Sequence, residues 1–333
     1  MIACRAVALG LLAASTVVAQ ESKFGEWQPA DLPALQPTAI PAWDDFAIAT
    51  TSVQRLPEKW VMMYEGIALT EDGRTHGFGL AESGDGVKWT KHAANPVLVP
   101  GSTEWELPRG PSVTKWRDGW WALYSVERSV SYDEKSVEES SLPALRCTLA
   151  HSDDGVTWQE ASKIDNLRFV PTDVGAPRPG IYGDGNSLHL WWIGADEKDE
   201  PALLHSVSRD GIAWSRPNRQ ATRDIDSRPI CCARVYPAGD YYILVYVAHE
   251  KGIGGDTRVV TKISQNARTW SVAGPPEFQL GPHWQHSVPS IVFEKNGARL
   301  FYCEPRMPDP TKWLGPRDPI QGTVLRTAFC PKK

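Results

Sequence analysis

Six carboxylates stand just ahead of short apolar runs in this chain: Asp44 and Asp45, Glu104 and Glu106, Asp173, and Asp226. Two such groups facing one reacting bond can do general acid–base work, one giving a proton to a leaving oxygen and the other activating a nucleophile. Asp45 is the candidate base or nucleophile, with Asp44 beside it. Asp173, Glu106 or His286 is the candidate acid, a histidine being able to serve because it titrates near neutral pH. Basic residues occupy the same leading segments: Arg109, Arg178, Arg228 and Arg234, with His283 and His286 late in the chain. Guanidiniums gathered in one place repel one another unless anions neutralise them, and each matches a carboxylate or sulfate in a bidentate fork. Two readings stay open: pairing with Asp44, Asp45, Asp173 and Asp226 inside the protein, or capture of an anionic ligand. A structural histidine is equally open for His286.

The elements that must position these groups are legible as a repeat. Ser-x-Asp-Gly-x-x-Trp occurs at 83–89, 152–158 and 208–214, and a degenerate copy at 264–270 has Asn266-Ala267 in place of Asp-Gly. Asp-Gly suits a tight turn, because glycine tolerates positive φ and aspartate bonds back to the backbone. A second repeat agrees. Aromatic strands end at Tyr64, Tyr124, Trp192, Tyr246 and Tyr302, and 12 residues before each lies Ser52, Ser112, Gly180, Arg234 or Ser290. Turn signals such as Asp118-Gly119, Asp184-Gly185, Gly239-Asp240 and Asn296-Gly297 separate the two. Each unit reads as four antiparallel strands, and five units fill residues 43–333. No stretch shows sustained helical periodicity. The expectation is an all-β, five-bladed propeller, with the marker residues on the innermost strands and the acidic and basic leading segments converging at one axial end.

Composition and termini narrow the class. The chain has 333 residues with a net charge of −5, so no basic footprint points to nucleic acid or an anionic membrane. Fifteen tryptophans fit a β fold with core aromatics and sugar-stacking surfaces. Arg5, an apolar run and Val17-Val18-Ala19 read as a secretory signal over 1–19, too short to span a bilayer. Residues 20–42 read as an arm or closing strand, and 128–143 as a surface loop in the second unit. Cys4 would leave with the signal; Cys147, Cys231, Cys232, Cys303 and Cys330 remain, and Cys303 and Cys330, on neighbouring strands, are the expected pair. The cysteine spacings match no zinc motif.

Trp43-Asp44-Asp45, the five inner strands with their Gly-aromatic turns, Asn95-Pro96-Val97-Leu98 and the Ser-x-Asp-Gly-x-x-Trp boxes together resemble the five-bladed propeller glycosidases, the arabinanase, β-xylosidase, invertase and mannoside-phosphorylase families. The boxes are also similar to those of sialidases, which carry one more residue between Asp and Trp. The resemblance implies an axial site in which two carboxylates cleave a glycosidic bond, about 6.5–9.5 Å apart for inversion and about 5–5.5 Å for retention. It departs at the positions that carry the family's acids: two residues before the markers stand Thr50, Gly110, Arg178, Cys232 and Val288. The expectation is a secreted or periplasmic, monomeric glycoside hydrolase acting on a plant or algal polysaccharide, the arginines suiting an anionic one. Asp45, Asp44, Asp173, Glu106 and His286 are its catalytic candidates, and Arg109, Arg178, Arg228, Trp43 and His283 its substrate contacts. No cofactor or metal is expected, a structural Ca²⁺ in the channel not being indicated. The alternative is a glycan-binding propeller without catalysis.

Overall fold

The computed structural model describes residues 23–70, 73–99, 106–128, 146–164, 167, 178–250, 256–271, 274–282, 288–305 and 322–333. They form five antiparallel four-stranded sheets, with no α-helix among the described residues. From the inner strand outward, blade 1 is Ala47–Arg55, Trp60–Thr70, Gly73–Ser83 and Thr90–Lys91. Blade 2 is Glu106–Trp116, Gly119–Arg128, Arg146–Ser152 and Gln159–Ile164. Blade 3 is Gly180–Gly183, Leu188–Ala195, Pro201–Ser208 and Asn218–Ala221. Blade 4 is Ile230–Ala238, Tyr241–His249, Asp256–Ser264 and Phe278–Pro282. Blade 5 takes Ser290–Glu294, Gly297–Pro305 and Thr323–Pro331 from the end of the chain, and its outer strand, Gln28–Pro29, from the beginning. No helix among the described residues is long and apolar enough to cross a membrane.

The repeat read from the sequence is the register of the ring. Ser52 pairs with Met63, Ser112 with Leu123, Gly180 with Trp191, Arg234 with Val245 and Ser290 with Phe301, the same offset in every blade. The marker serines stitch inner strands sideways. Val113 N–H donates to Ser52 Oγ at 2.9 Å, Ile181 N–H to Ser112 Oγ at 3.0 Å, and Val53 N–H to Ser290 Oγ at 3.1 Å, closing blade 5 onto blade 1. Blade 3 has Gly180 instead, and the space goes to Arg234: a methyl on Gly180 would lie 2.9 Å from Arg234 Cγ. Arg234 is 1% exposed and crosses the axis, donating from Nη1 to Thr51 O and from Nη2 to Pro111 O, both at 2.7 Å. This arginine therefore holds blades 1 and 2 from blade 4 instead of offering its charge to solvent.

Turn chemistry fixes the outer half of each blade. In the first box Gly86 N–H donates to Ser83 Oγ at 2.9 Å, and Asp85 Oδ1 accepts from Val87 and Lys88 N–H at 2.8 Å. Trp89 closes the turn by donating its ring N–H to Gly86 O at 3.2 Å. The boxes at Ser152 and Ser208 repeat the serine and aspartate bonds. Their glycines sit at φ of +73° to +78°, a region open to glycine without steric penalty, and the degenerate box places Ala267 there at +55°.

The core lies between blades. One layer packs Met63, Phe78 and Leu80 of blade 1 against Val113, Trp120 and Tyr124 of blade 2. Another packs Tyr64 and Ile48 of blade 1 against Phe301, Cys303 and Leu325 of blade 5. The expected Cys303–Cys330 pair is corrected here. Cys303 is in register with Leu325, and Cys330 with Ala298, five residues further back. Side chains alternate along a strand, so an odd separation puts the two sulfurs on opposite faces. Cys303 accordingly lies in the layer between blades 5 and 1, Cys330 in the layer between blades 4 and 5, and both thiols are free.

Candidate active site at the axial end of the ring

The inner strands of blades 1, 2 and 4 each carry a bulge at the same place, between Ile48 and Thr51, Arg109 and Ser112, and Cys231 and Arg234. A bulge interrupts pairing and re-aims the residues within it. These are the positions two before the markers, where carboxylates were missing. The bulges of blades 1 and 2 meet a carboxylate from behind. Glu65, on the second strand of blade 1, is fully buried and points between blades 1 and 2. Its Oε1 lies 3.1 Å from His76 Nδ1 and accepts from Arg109 Nη1 at 3.2 Å. Its Oε2 accepts from Thr50 Oγ1 at 2.7 Å and from Gly110 N–H at 3.1 Å.

Burial alone would raise the Glu65 pKa. The bond from His76 and the charges of Arg109 and Arg178 overcome it and hold the carboxyl well below its ordinary range. Glu65 is therefore an ionised acceptor. Gly110 is needed twice over: its φ is +61°, and a Cβ there would lie 3.0 Å from Arg178 Cγ. Arg178 thus lies across Gly110 from blade 3. It is 8% exposed, and its Nε has no hydrogen-bond partner among the described residues. A nearly buried guanidinium donor left open beside an ionised carboxylate, just ahead of an inner strand, is a place for an oxygen-rich ligand.

Among the sequence candidates, Arg109 and Arg178 come together around Glu65. Trp43 and Asp44 lie elsewhere. Tyr64 and Glu65 are consecutive on one strand and so face opposite ways. Trp43 packs against Tyr64 with ring centroids 5.6 Å apart and planes tilted by 31°, and covers Gly66, Gly77 and Gly79. Asp44 is buried on that same side, accepting from Tyr64 Oη at 3.1 Å and pairing with Lys91 Nζ at 2.5 Å. Asp45 closes a local turn, its Oδ2 accepting from Ala42 N–H at 3.2 Å.

Arg228 is held by two carboxylates, Asp226 at 2.8 Å and Glu277 at 2.6 Å, and Tyr246 Oη also donates to Asp226. Burial opposes ionisation of Asp226, but the Arg228 bonds bring its pKa down to about 2, so this pair is internally neutralised. Glu106 opens the inner strand of blade 2, and its side chain lies outside the described residues, as do Glu104, Asp173, His283 and His286. Among the described residues no group of three or more His, Cys, Asp or Glu side chains is placed to hold a metal ion.

Glu65 itself was not singled out from the sequence. The signal was a lone carboxylate inside the apolar strand Trp60–Thr70, where an unpaired charge would be prohibitive.

No family model matches the sequence, and no curated protein matches it. Solved structures do match its fold. The α-L-arabinofuranosidase PaAbf62A from Podospora anserina, solved in complex with cellotriose, superposes with a TM-score of 0.60 at 12% identity, covering 94% of this chain and 99% of that one. A GH130 structure, whose description concerns glycoside hydrolases that target β-1,2 mannosidic linkages in Candida mannan, gives 0.54 at 13% identity, covering 92% and 95%. The GH32 β-fructofuranosidase BmSUC1 of Bombyx mori gives 0.55 at 12% identity, covering 88% of this chain and 61% of that one. The chain shares with these glycoside hydrolases the five-bladed propeller fold.

Proposed function

We propose that this chain is a secreted, carbohydrate-active propeller that hydrolyses a glycosidic bond in an acidic polysaccharide bound at the axial end of the ring. The observation that carries the reading is Arg178, a nearly buried guanidinium with an open donor, set beside an ionised carboxylate in a fold shared with glycoside hydrolases. Arg109 and Arg178 meet the ligand's anionic or hydroxyl oxygens. Glu65 orients Arg109 and offsets part of the charge of the two arginines. With both oxygens accepting and its pKa depressed, it is not a proton donor. The proton for the leaving oxygen is assigned to Asp173, Glu106 or His286, and the base to the remaining carboxylate of that set or to Asp45. A glycan-binding role without cleavage is the second reading. It is favoured by the engagement of Glu65 on every side, which leaves neither of its oxygens free to act as a base.

The test is a panel of acidic and neutral polysaccharides, assayed for binding and for released products with the wild type and Arg178→Ala. Cleavage of an acidic polymer, with affinity for acidic ligands reduced about tenfold or more in Arg178→Ala and affinity for neutral ones little changed, is expected, a charge-assisted hydrogen bond being worth about 1.5–3 kcal/mol. Equal losses on both ligand classes overturn the anionic substrate. Binding without any product overturns hydrolysis and leaves the second reading.

A further inference from the structure

The cysteines Cys147, Cys231, Cys232, Cys303 and Cys330 are all described and free, and they are distributed over different layers of the ring. Cys147 is between blades 2 and 3, Cys303 and Cys330 are on opposite faces of blade 5, and only Cys231 and Cys232 share one cluster, with Val247 and Val288. Cys231 is the last paired residue before the blade 4 bulge and Cys232 lies within it, at 7% and 5% exposure. Cys232 has φ of +56°, a left-handed conformation uncommon for a residue with a side chain. Around the pair stand three groups suited to thiol chemistry. His249 Nε2 lies 3.3 Å from Cys231 Sγ, and the Arg178 and Arg234 guanidiniums act on Cys232.

We propose that Cys231 and Cys232 form a redox-active vicinal dithiol at the axial end of the channel, which small-molecule disulfides oxidise to an eight-membered disulfide ring. The two thiols are unequal acids. Interaction with Cys231, helped by Arg178 and Arg234 against the effect of burial, lowers Cys232 below the ordinary thiol range, while Cys231 is raised by the same interaction and by burial. Burial keeps His249 neutral by lowering its pKa, so its imidazole can accept a proton. The Cys232 thiolate attacks one sulfur of the disulfide RSSR, forming a mixed disulfide and expelling RS⁻. Cys231 passes its proton by way of His249 Nε2 to the released RS⁻ and attacks Cys232 Sγ. The Cys231–Cys232 bond forms, a second RS⁻ leaves, and two electrons have passed to the oxidant.

Neighbouring Cα atoms across a trans peptide lie about 3.8 Å apart, below the usual disulfide range of about 4.4–6.8 Å, so the ring is strained and easily reopened. Closure withdraws an anionic neighbour from Arg178. The chemistry of the pair does not depend on what the axial site binds.

The experiment exposes the protein to oxidised glutathione, both folded and during refolding from urea, then unfolds it, alkylates free thiols and maps the peptides. The expected result is alkylation at Cys147, Cys303 and Cys330, with the peptide carrying Cys231 and Cys232 unalkylated and lighter by two hydrogens, and alkylated after dithiothreitol. In Cys231→Ser, the expected product is a glutathione adduct held on Cys232. Alkylation of both Cys231 and Cys232 in both oxidised samples overturns the proposal. So does a bond from either one to Cys147, Cys303 or Cys330.

Discussion

Replacing Glu65 by glutamine removes the charge and keeps the shape. The carboxylate now accepts on both oxygens, from Thr50 and Gly110 on one and from Arg109, with His76, on the other. A glutamine has one acceptor oxygen and one NH₂, so in either orientation a donor faces a donor. Turned one way it meets the Gly110 N–H, and turned the other it meets Arg109; neither group can reverse its role. Breaking a buried, charge-assisted set by changing one partner costs about 3–5 kcal/mol. In a chain of this size each kcal/mol moves the melting temperature by about 2 °C, so Glu65→Gln should melt roughly 6–10 °C lower near neutral pH.

The pH dependence makes the reasoning specific. The folded carboxyl titrates below its ordinary value of 4.5. Its stabilisation is therefore complete above about pH 4.5 and is lost as the pH falls toward the folded value. Glutamine does not titrate, so the gap between wild type and variant should be steady from about pH 7 to about pH 5 and narrow below that. Thermal melts of both proteins across this range provide the assay. A gap under about 1 kcal/mol at neutral pH, or one that stays unchanged down to about pH 3, would refute the ionised network.

Two further substitutions test the scaffold. Ala267→Gly should gain roughly 0.5–1 kcal/mol, since alanine at φ +55° pays the left-handed penalty that glycine escapes, less glycine's larger unfolded entropy. A urea midpoint that falls instead would contradict the equivalence of the fourth box to the others. Arg234→Met should lose about 2–4 kcal/mol, because the carbonyls of Thr51 and Pro111 are left without donors in the channel. A melting temperature within about 2 °C of wild type would mean that Arg234 does not hold those blades.

The fold was readable because turn chemistry and strand register obey local rules. Asp85, Asp154 and Asp210 each bond two backbone N–H groups just downstream, so the boxes mark the same corner in blades 1 to 3. The constant spacing from Ser52, Ser112, Gly180, Arg234 and Ser290 to the next strand is the length of one hairpin. The site was only half readable, because it depends on which face of a strand a residue takes. Arg109 and Arg178 stand just before the inner-strand markers in sequence and lie beside Glu65 in the structure. Glu65 could not be read in that way, since it reaches the same place from the second strand, through parity with Met63 instead of Tyr64. Asp44 precedes an inner strand too, and Gly66 lets Trp43 and Asp44 pack flat on the blade, where Lys91 and Tyr64 bind the carboxylate. Cys303 and Cys330 fail as a pair on the same parity.

The outer strand of blade 5 has a consequence for how the molecule assembles. Gln28 pairs with Phe329, Phe24 bridges to Lys332, and Leu35 bridges to Leu325, so almost the whole chain lies between the partners. Blades 1 to 4 can each zip from neighbouring sequence, but blade 5 keeps an open edge on Thr323–Pro331 until the beginning of the chain returns to it. During that interval any copy's 24–35 segment presents the same hydrogen bonds and the same Phe24 and Leu35 side chains. Concentrated refolding is therefore a contest between self-closure and exchange of this segment between molecules. The ring's latch selects for its own chain only through the higher local concentration that the connected chain provides.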